Sequence, residues 1–135
     1  MSHSTIRREA DRPRHARGGG ASTVQMITPD TGAAALLNGF TDIPPGGGIP
    51  LHFHNCEESV LIVSGRATVE IDGTRHEAGA GDVVWISADV PHRFVNPSEQ
   101  EALRIFWTYA SAEATRTLVA TGETRRVAIE HGAGT

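Results

Sequence analysis

The stretch ATVEIDGTRHEA (residues 67–78) is the part of the sequence that most clearly indicates the fold. Two short candidate strands flank the dipeptide Asp72-Gly73. Both residues of this dipeptide tolerate the positive φ angles that a two-residue hairpin turn requires. The stretch therefore predicts two antiparallel strands joined by a tight turn.

The chain from residue 23 onward continues in the same way, with short apolar runs separated by turn residues and no helical periodicity that lasts three turns. Candidate strands cover residues 23–28, 34–43, 51–54, 59–63, 67–71, 74–78, 83–87, 93–96, 102–109 and 124–130. Residues 112–120 are ambiguous between a helical turn and a strand. Short strands at this spacing predict an all-β barrel or sandwich.

The length of 135 residues indicates a single domain. Residues 1–20 carry five arginines against two acidic residues and end in three glycines, which predicts a flexible basic N-terminal arm ahead of a barrel domain over 21–131. The arm is either a solvated tail or a segment that grips phosphates or a partner. The remaining chain has a net charge of −7, which argues against nucleic-acid binding by the folded part.

The single cysteine, Cys56, cannot form an intramolecular disulfide, which favours the reducing cytoplasm. No apolar run approaches the roughly 20 residues that span a bilayer. The N-terminus also lacks the apolar stretch of a secretory signal. We therefore expect a cytoplasmic protein without a membrane partner.

Three histidines and one glutamate form the candidate functional site. His52 and His54 are two residues apart on a candidate strand, so their side chains share one face. Glu58 follows after a short turn, and His92 opens a later strand. Imidazole and carboxylate ligands suit one divalent transition metal, Fe, Ni, Mn, Cu or Zn, better than Mg or Ca.

The spacing of these residues resembles the two sequence motifs of the cupin superfamily. The first motif, Gly-x5-His-x-His-x3–4-Glu-x6-Gly, is matched by Gly46, His52, His54, Glu58 and Gly65. The second motif is matched by Gly81, His92 and Asn96, whereas Ser87 and Asp89 stand where the pattern has Pro and Gly. The resemblance implies a small single-domain cupin, a double-stranded β-helix or jelly-roll barrel, in which His52, His54, Glu58 and His92 bind the metal.

The resemblance also implies a function in small-molecule metabolism. The expected activity is that of a metal-dependent oxygenase acting on a small oxygenated organic substrate in the barrel cavity. Two alternatives remain: a Lewis-acid isomerase, cyclase or lyase in which Glu58 is the base, and a module that binds a small ligand without catalysis. Cupin relatives commonly dimerise, so we expect a homodimer, with residues 23–28 as a strand that could pair with a neighbour.

The substrate pocket is predicted from strand alternation. If Glu58 points inward, Val60 and Ile62 share its face, and Phe94 lies on the same face as His92. These residues either line the pocket or simply fill the barrel. Residues 102–109 present an apolar face, which is the better core face, and a second face on which Arg104 would offer a guanidinium to a substrate carboxylate or phenolate.

Overall fold

The structure is a computed structural model that describes residues 4–129, and it consists of two antiparallel six-stranded sheets. Its strands are β1 (His15–Ala16), β2 (Ser22–Gln25), β3 (Leu37–Ile43), β4 (His52–His54), β5 (Glu58–Ser64), β6 (Arg66–Ile71), β7 (Thr74–Gly79), β8 (Val83–Ile86), β9 (His92–Val95), β10 (Leu103–Tyr109), β11 (Thr115–Leu118) and β12 (Thr124–Arg126). Short 3₁₀ turns lie at Glu9–Asp11, Gly18–Gly20, Pro29–Thr31 and Val127–Ile129. Within residues 4–129, no helix has the length and apolar character needed to cross a membrane.

The two sheets enclose the core between their inner faces. The first sheet has the order β1-β2-β3-β10-β5-β8, and the second has the order β12-β11-β4-β9-β6-β7. Strands β3 and β10 alternate strictly between buried and partly exposed residues, as expected for strands with one face on a core. This arrangement is a jelly-roll barrel and confirms the predicted fold class.

The predicted hairpin is confirmed. Asp72 and Gly73 join β6 to β7 and have φ angles of 50° and 82°. The ambiguous segment 112–120 contains a strand, β11, which pairs with both β4 and β12. The last predicted strand, 124–130, ends at Arg126 and is followed by a 3₁₀ turn, while residue 130 lies outside the described residues.

Two glycines at positive φ provide a test of how tightly the barrel is packed. A Cβ at Gly65 (φ 84°) would lie 2.4 Å from the carbonyl oxygen of Ala102, whereas a Cβ at Gly73 (φ 82°) would meet no atom within 4 Å. Gly73→Ala carries only the cost of a left-handed backbone, so we expect it to lower the free energy of unfolding by about 1–2 kcal/mol. Gly65→Ala adds a steric clash, and its expected cost is about 3 kcal/mol or more.

Urea denaturation of both variants measures this difference. Because the two glycines have nearly the same φ, Gly73→Ala is the matched control for backbone strain. Equal losses of stability would contradict the close approach of Gly65 to the strand that begins at Leu103.

The N-terminal segment, residues 4–20, lies against the first sheet. Strand β1 pairs with β2, Nη1 of Arg7 donates to the carbonyl of Met26 (3.2 Å), and Nε of Arg12 donates to the carbonyl of Gln25 (2.8 Å). These contacts tie the segment to the edge of the barrel in the structure. Its mobility in solution, with a domain boundary at residue 20, stays a prediction, and residue 131 at the predicted end of the domain lies outside the described residues.

Candidate metal centre and cavity

Three buried histidines converge at the centre of the second sheet. Strand alternation places His52 and His54 on one face of β4, and the pairing of β4 with β9 puts His92 directly opposite His52. The residues are 3%, 2% and 1% exposed, respectively. One ring nitrogen from each lies within 4.8 Å of the others, so the three rings could hold one metal ion.

Each of these rings is oriented by a backbone carbonyl. The Nδ1 atoms of His52, His54 and His92 lie 2.7, 3.0 and 2.9 Å from the carbonyl oxygens of Pro50, Thr115 and Val90. A carbonyl oxygen can only accept, so each Nδ1 donates, and a neutral ring then presents its lone pair at Nε2. Metal-binding histidines characteristically donate their other ring nitrogen in this way.

Glu58 faces the histidines from the first sheet. Its Oε1 lies 2.9 Å from Nε2 of His92 and 3.4 Å from Nε2 of His54. Burial alone raises the pKa of this carboxyl, but His54 and His92 outweigh burial and lower the pKa to about 2. Burial, followed by the neighbouring rings, holds the pKa of His52 well below its usual value. The site therefore favours an ionised carboxylate beside a neutral His52.

The donor set fits a divalent cation. Nε2 of His54 is buried and has no hydrogen-bond partner among residues 4–129. Nε2 of His92 lies 2.9 Å from Oε1 of Glu58, and two lone pairs at this distance require a proton or a metal ion between them. Three imidazoles with an adjacent carboxylate are typical of transition-metal sites that keep an open coordination position.

A cavity of about 360 Å³ opens onto this cluster between the two sheets. His52 and Glu58 line it, and Phe94, Ile105 and Trp107 form an apolar wall. This volume lies in the range of small-molecule binding sites. A ligand in the cavity would therefore lie beside His52 and Glu58, although both side chains are buried.

The predicted pocket residues are distributed between the cavity and the core. Phe94 lines the cavity. Val60 and Ile62 are fully buried on the same inner face of β5 as Glu58, but they pack in the hydrophobic core and are not among the described residues that line the cavity. The alternation of inward and outward side chains is therefore as predicted. Of these three inward-facing residues, Phe94 lines the cavity, whereas Val60 and Ile62 fill the core.

Arg104 lies on the outer face of β10, away from the cavity. Its guanidinium stacks 3.9 Å above the ring of Phe40 and pairs with Asp42 (3.3 Å) and Glu9. Ile105, on the opposite parity, points into the barrel. The structure thus corrects the suggestion that Arg104 offers a guanidinium to the substrate, because the apolar face of β10 is the inner face.

Comparison with known proteins establishes the family. Residues 39–109, just over half of the chain, match the family described as Cupin domain, and they include the three histidines and Glu58. The chain is a cupin.

Two curated relatives share more than a third of their residues with this cupin over the aligned regions. It is 36% identical over 96 residues to polyketide synthase CurC of Streptomyces cyaneus, and the aligned region covers 70% of this chain and 61% of that protein. It is 35% identical over 77 residues to dimethylsulfoniopropionate lyase DddW of Ruegeria pomeroyi, and the aligned region covers 57% of this chain and 49% of that protein. The chain therefore spans only about half to three fifths of these relatives.

A solved structure shares the fold. The polyketide cyclase RemF from Streptomyces resistomycificus superposes with a TM-score of 0.71 at 21% identity, covering 94% of this cupin and 86% of that chain. At this identity the likeness concerns the fold.

Where this cupin departs from the second motif at Asp89, the backbone keeps a conformation that glycine favours. Asp89, which stands where the pattern has Gly, has a φ of 65°. Aspartate tolerates this left-handed conformation better than most residues. Its backbone N–H donates to the carbonyl of His54 (2.7 Å), which links the turn before His92 to the strand that carries the other two rings.

Asn96 of the same motif has a structural place in this cupin. The residue is buried, and its Nδ2 lies within 3.2 Å of the carbonyl oxygens of Ile43, Pro44 and Glu101. Its Oδ1 accepts from the backbone N–H of Ser98 (3.0 Å). These bonds close the loop after β9.

Cys56 and Glu57 lie between His54 and Glu58 and could each supply a metal ligand. Neither side chain belongs to the histidine cluster. Glu57 is exposed and accepts a hydrogen bond from Nε1 of Trp85 (2.8 Å) on the outer face. Cys56 is half-buried against the core, and burial raises the pKa of its thiol, which disfavours the thiolate form that binds metals.

Sequence reasoning did not identify several cavity residues of this cupin. These residues, which come from β2, β3, β11, β12 and the N-terminal segment, are Arg17, Thr23, Gln25, Thr41, Arg116, Leu118 and Arg125. Thr23 and Gln25 are two apart on β2, so their polar alternation was the one signal available. The others reach the cavity through pairings between distant parts of the chain.

Proposed function

We propose that this cupin is a metal-dependent enzyme that cyclises or cleaves a small carbonyl-bearing organic molecule. The observation that carries the proposal is the convergence of three buried imidazoles and a buried carboxylate next to a cavity of about 360 Å³, which His52 and Glu58 line. His52, His54 and His92 would hold the ion, and Glu58 would act as a base. The alternative is the role that the sequence predicts for Glu58, a fourth ligand to the metal. A metal bound there would supply a Lewis acid that polarises a substrate carbonyl.

Glu58 is the proposed general base. The side chain is a buried carboxyl group beside the imidazoles, and its ionised form can accept a proton. A substrate with an acidic C–H, such as a methylene group between two carbonyls, suits a carboxylate base. Glu58 would take the proton, and the resulting carbanion would attack another carbonyl carbon of the same molecule, which closes the ring and converts that carbonyl oxygen to an alkoxide. Glu58 would return the proton to the alkoxide, and loss of the new hydroxyl group with a neighbouring hydrogen, as water, would leave a C=C bond.

The relatives favour this chemistry over oxygenation. CurC is named a polyketide synthase and DddW a lyase. Intramolecular condensation of a polyketide chain begins with removal of a proton next to a carbonyl, as does cleavage by elimination beside a carboxylate, and neither reaction needs an oxidant. The oxygenase expected from the sequence would use the same site, so oxygen dependence separates the two.

The test compares turnover with and without oxygen. Metal-loaded protein is incubated with a panel of aryl 1,3,5,7-tetraketones, flavonols and catechols, in air and under argon, with an oxygen electrode and mass spectrometry. We expect dehydrated or cleaved products at equal rates in both atmospheres. Products formed only in air, with oxygen uptake, would indicate the oxygenase, and a metal-loaded protein that turns over none of the panel would indicate a binding module.

We also propose that the protein forms a homodimer through β8. The structure corrects the suggestion that residues 23–28 pair with a neighbour, because β2 already pairs with β1 and β3 of its own sheet. Strand β8 instead lies at the edge of the first sheet and exposes Val83 and Trp85, each 63% accessible. An edge strand with large apolar side chains suits an isologous contact with a second copy.

The double substitution Val83→Ser/Trp85→Ser should shift the protein from dimer to monomer in light scattering at micromolar concentration. Val119→Ser, which removes an exposed valine elsewhere, is the matched control and should leave the dimer intact. A wild-type monomer, or a dimer unaffected by the double substitution, would contradict the proposed interface.

We also propose a location in the reducing cytoplasm. The free thiol of Cys56 supports this location.

A further inference from the structure

Three uncharged polar side chains of β2 and β3 line the cavity next to its apolar wall. Thr23, Gln25 and Thr41 are 8%, 5% and 6% exposed, respectively. The pairing of β2 with β3 places Thr23 directly opposite Thr41, and Gln25 lies two positions further along β2 on the same face. We call these three residues the polar strip.

Thr41 is held in place by Trp107. The indole N–H can only donate, and Nε1 of Trp107 donates to Oγ1 of Thr41 (2.8 Å). The indole lies close against Gly39, where a Cβ would stand 2.7 Å from two of its ring atoms. Oγ1 of Thr41 is therefore an acceptor for Trp107, and the hydroxyl hydrogen of Thr41 points elsewhere.

The two threonine hydroxyls have more hydrogens than partners. Oγ1 of Thr23 lies 3.4 Å from Oγ1 of Thr41, and either atom could be the donor. Only one of the two hydroxyl hydrogens can lie between these oxygens. Within residues 4–129 neither hydroxyl donates to any other group, so at least one hydrogen is available to a molecule in the cavity.

Gln25 adds an acceptor to the polar strip. Its Nε2 donates to the carbonyl oxygen of Val127 (2.7 Å), which fixes the orientation of the amide because a carbonyl oxygen can only accept. Oε1 of Gln25 accepts no hydrogen bond in the part of the chain that the structure describes. The polar strip thus offers one donor and one acceptor beyond those that the fold uses, and buried polar groups are costly without partners.

The polar strip and the proposed reaction centre lie at different places along the first sheet. In the sheet order β2-β3-β10-β5, strand β2 is three strands from the strand that carries Glu58. At about 4.8 Å per strand, about 14 Å of sheet separates the two backbones. Strand β10 lies between them and contributes Ile105 and Trp107 to the apolar wall. A flat molecule of two or more fused rings on this wall would extend from Glu58 towards the polar strip.

We propose that the polar strip binds a hydroxyl group on an uncharged aryl or enolic end of the substrate, whose carbonyl end lies beside His52 and Glu58. The hydroxyl group would donate to Oε1 of Gln25 and accept from a threonine hydroxyl. Positions 23 and 25 are about 7 Å apart along β2, and two hydrogen bonds of about 2.8 Å through one oxygen span most of that distance. This inference rests on the proposed function, whose substrate class it specifies.

Equilibrium dialysis of 2-naphthol and of 2-methylnaphthalene tests the proposal. The two probes have nearly the same shape, and the methyl compound is the more apolar, so a wholly apolar site would bind it more tightly. We expect 2-naphthol to bind about fivefold or more tightly, because it makes two hydrogen bonds that the methyl group cannot make. The protein is chelated beforehand, because a bound metal could itself attract the naphthol oxygen. The experiment is run at pH 7, where a phenolic hydroxyl group stays protonated.

Two variants remove the two halves of the polar strip. Gln25→Met removes the acceptor, and Thr23→Val/Thr41→Val removes both hydroxyls with little change in shape. Each should abolish the preference for 2-naphthol, whereas Thr23→Ser/Thr41→Ser keeps both hydroxyls and should keep the preference. Circular dichroism checks that every variant is folded. If the valine variant does not fold, because Trp107 loses its acceptor, Gln25→Met decides the test.

The matched control is Thr117→Val/Thr124→Val. These two threonines also form a cross-strand pair, with their Oγ1 atoms 2.7 Å apart, but the pair is exposed and is not among the described residues that line the cavity. Its substitution should leave the preference unchanged.

Three results would overturn the proposal: no binding of 2-naphthol at millimolar concentration, an affinity for 2-methylnaphthalene that equals or exceeds that for 2-naphthol, or a preference that survives in the folded variants of the polar strip. Metal content and turnover, measured on the same preparations before chelation, keep the two proposals distinguishable. A metal-loaded, active protein without the preference contradicts the polar strip alone. A preference that depends on the polar strip, in a protein that binds no metal, contradicts the proposed function alone.

Discussion

His92→Ala should reduce bound metal from about one ion per chain to almost none, because it removes one of three imidazole ligands. The loss of affinity should exceed the roughly 10- to 100-fold that removal of an outer hydrogen-bond partner of a ligand costs. His54→Ala should behave in the same way, since its Nε2 is buried and has no hydrogen-bond partner within residues 4–129. Elemental analysis of purified, dialysed protein measures the stoichiometry.

The matched control for these variants is His76→Ala. His76 is exposed on β7 and lies outside the histidine cluster, so its loss should leave metal content unchanged. Full occupancy in His92→Ala, in protein shown by circular dichroism to be folded, would mean that the three rings are not the ligands.

Glu58→Gln should retain the metal and lose activity by about 10²- to 10⁴-fold, the range that a positioned general base contributes. Glutamine keeps the shape of the side chain but cannot accept the proton. The readout is the rate at which the methylene protons of an aryl 1,3-diketone exchange in heavy water, followed by NMR on metal-loaded protein. This rate reports proton removal without requiring a complete turnover.

Glu57→Gln is the control for Glu58→Gln. Glu57 is the preceding residue and bonds to Trp85 on the outer face, so its substitution should change neither exchange nor metal content. Loss of metal in Glu58→Gln would instead identify Glu58 as a ligand, the role that the sequence motif implies. Unchanged exchange with full metal would exclude Glu58 as the base.

Local sequence patterns were sufficient for the hairpin and for the histidine pair. Asp72-Gly73 specifies its turn because few residues adopt positive φ at two successive positions, and the structure has that turn. His52 and His54 share a face because side chains alternate along any strand. The approach of His92 followed from the resemblance to a family rather than from local pattern, since it depends on the pairing of β4 with β9.

Tertiary structure alone decided which face of each strand is inner and which distant residues meet at the cavity. Alternation in β10 puts Arg104 and Ile105 on opposite faces. Only packing against the second sheet turns Ile105 inward, so that Arg104 lies on the outer face and pairs with Asp42. Arg116 lies opposite His54 although 62 residues separate them, because β11 pairs with β4. Residue type and spacing encode chemistry and periodicity, whereas strand pairing across long separations sets which groups share a cavity.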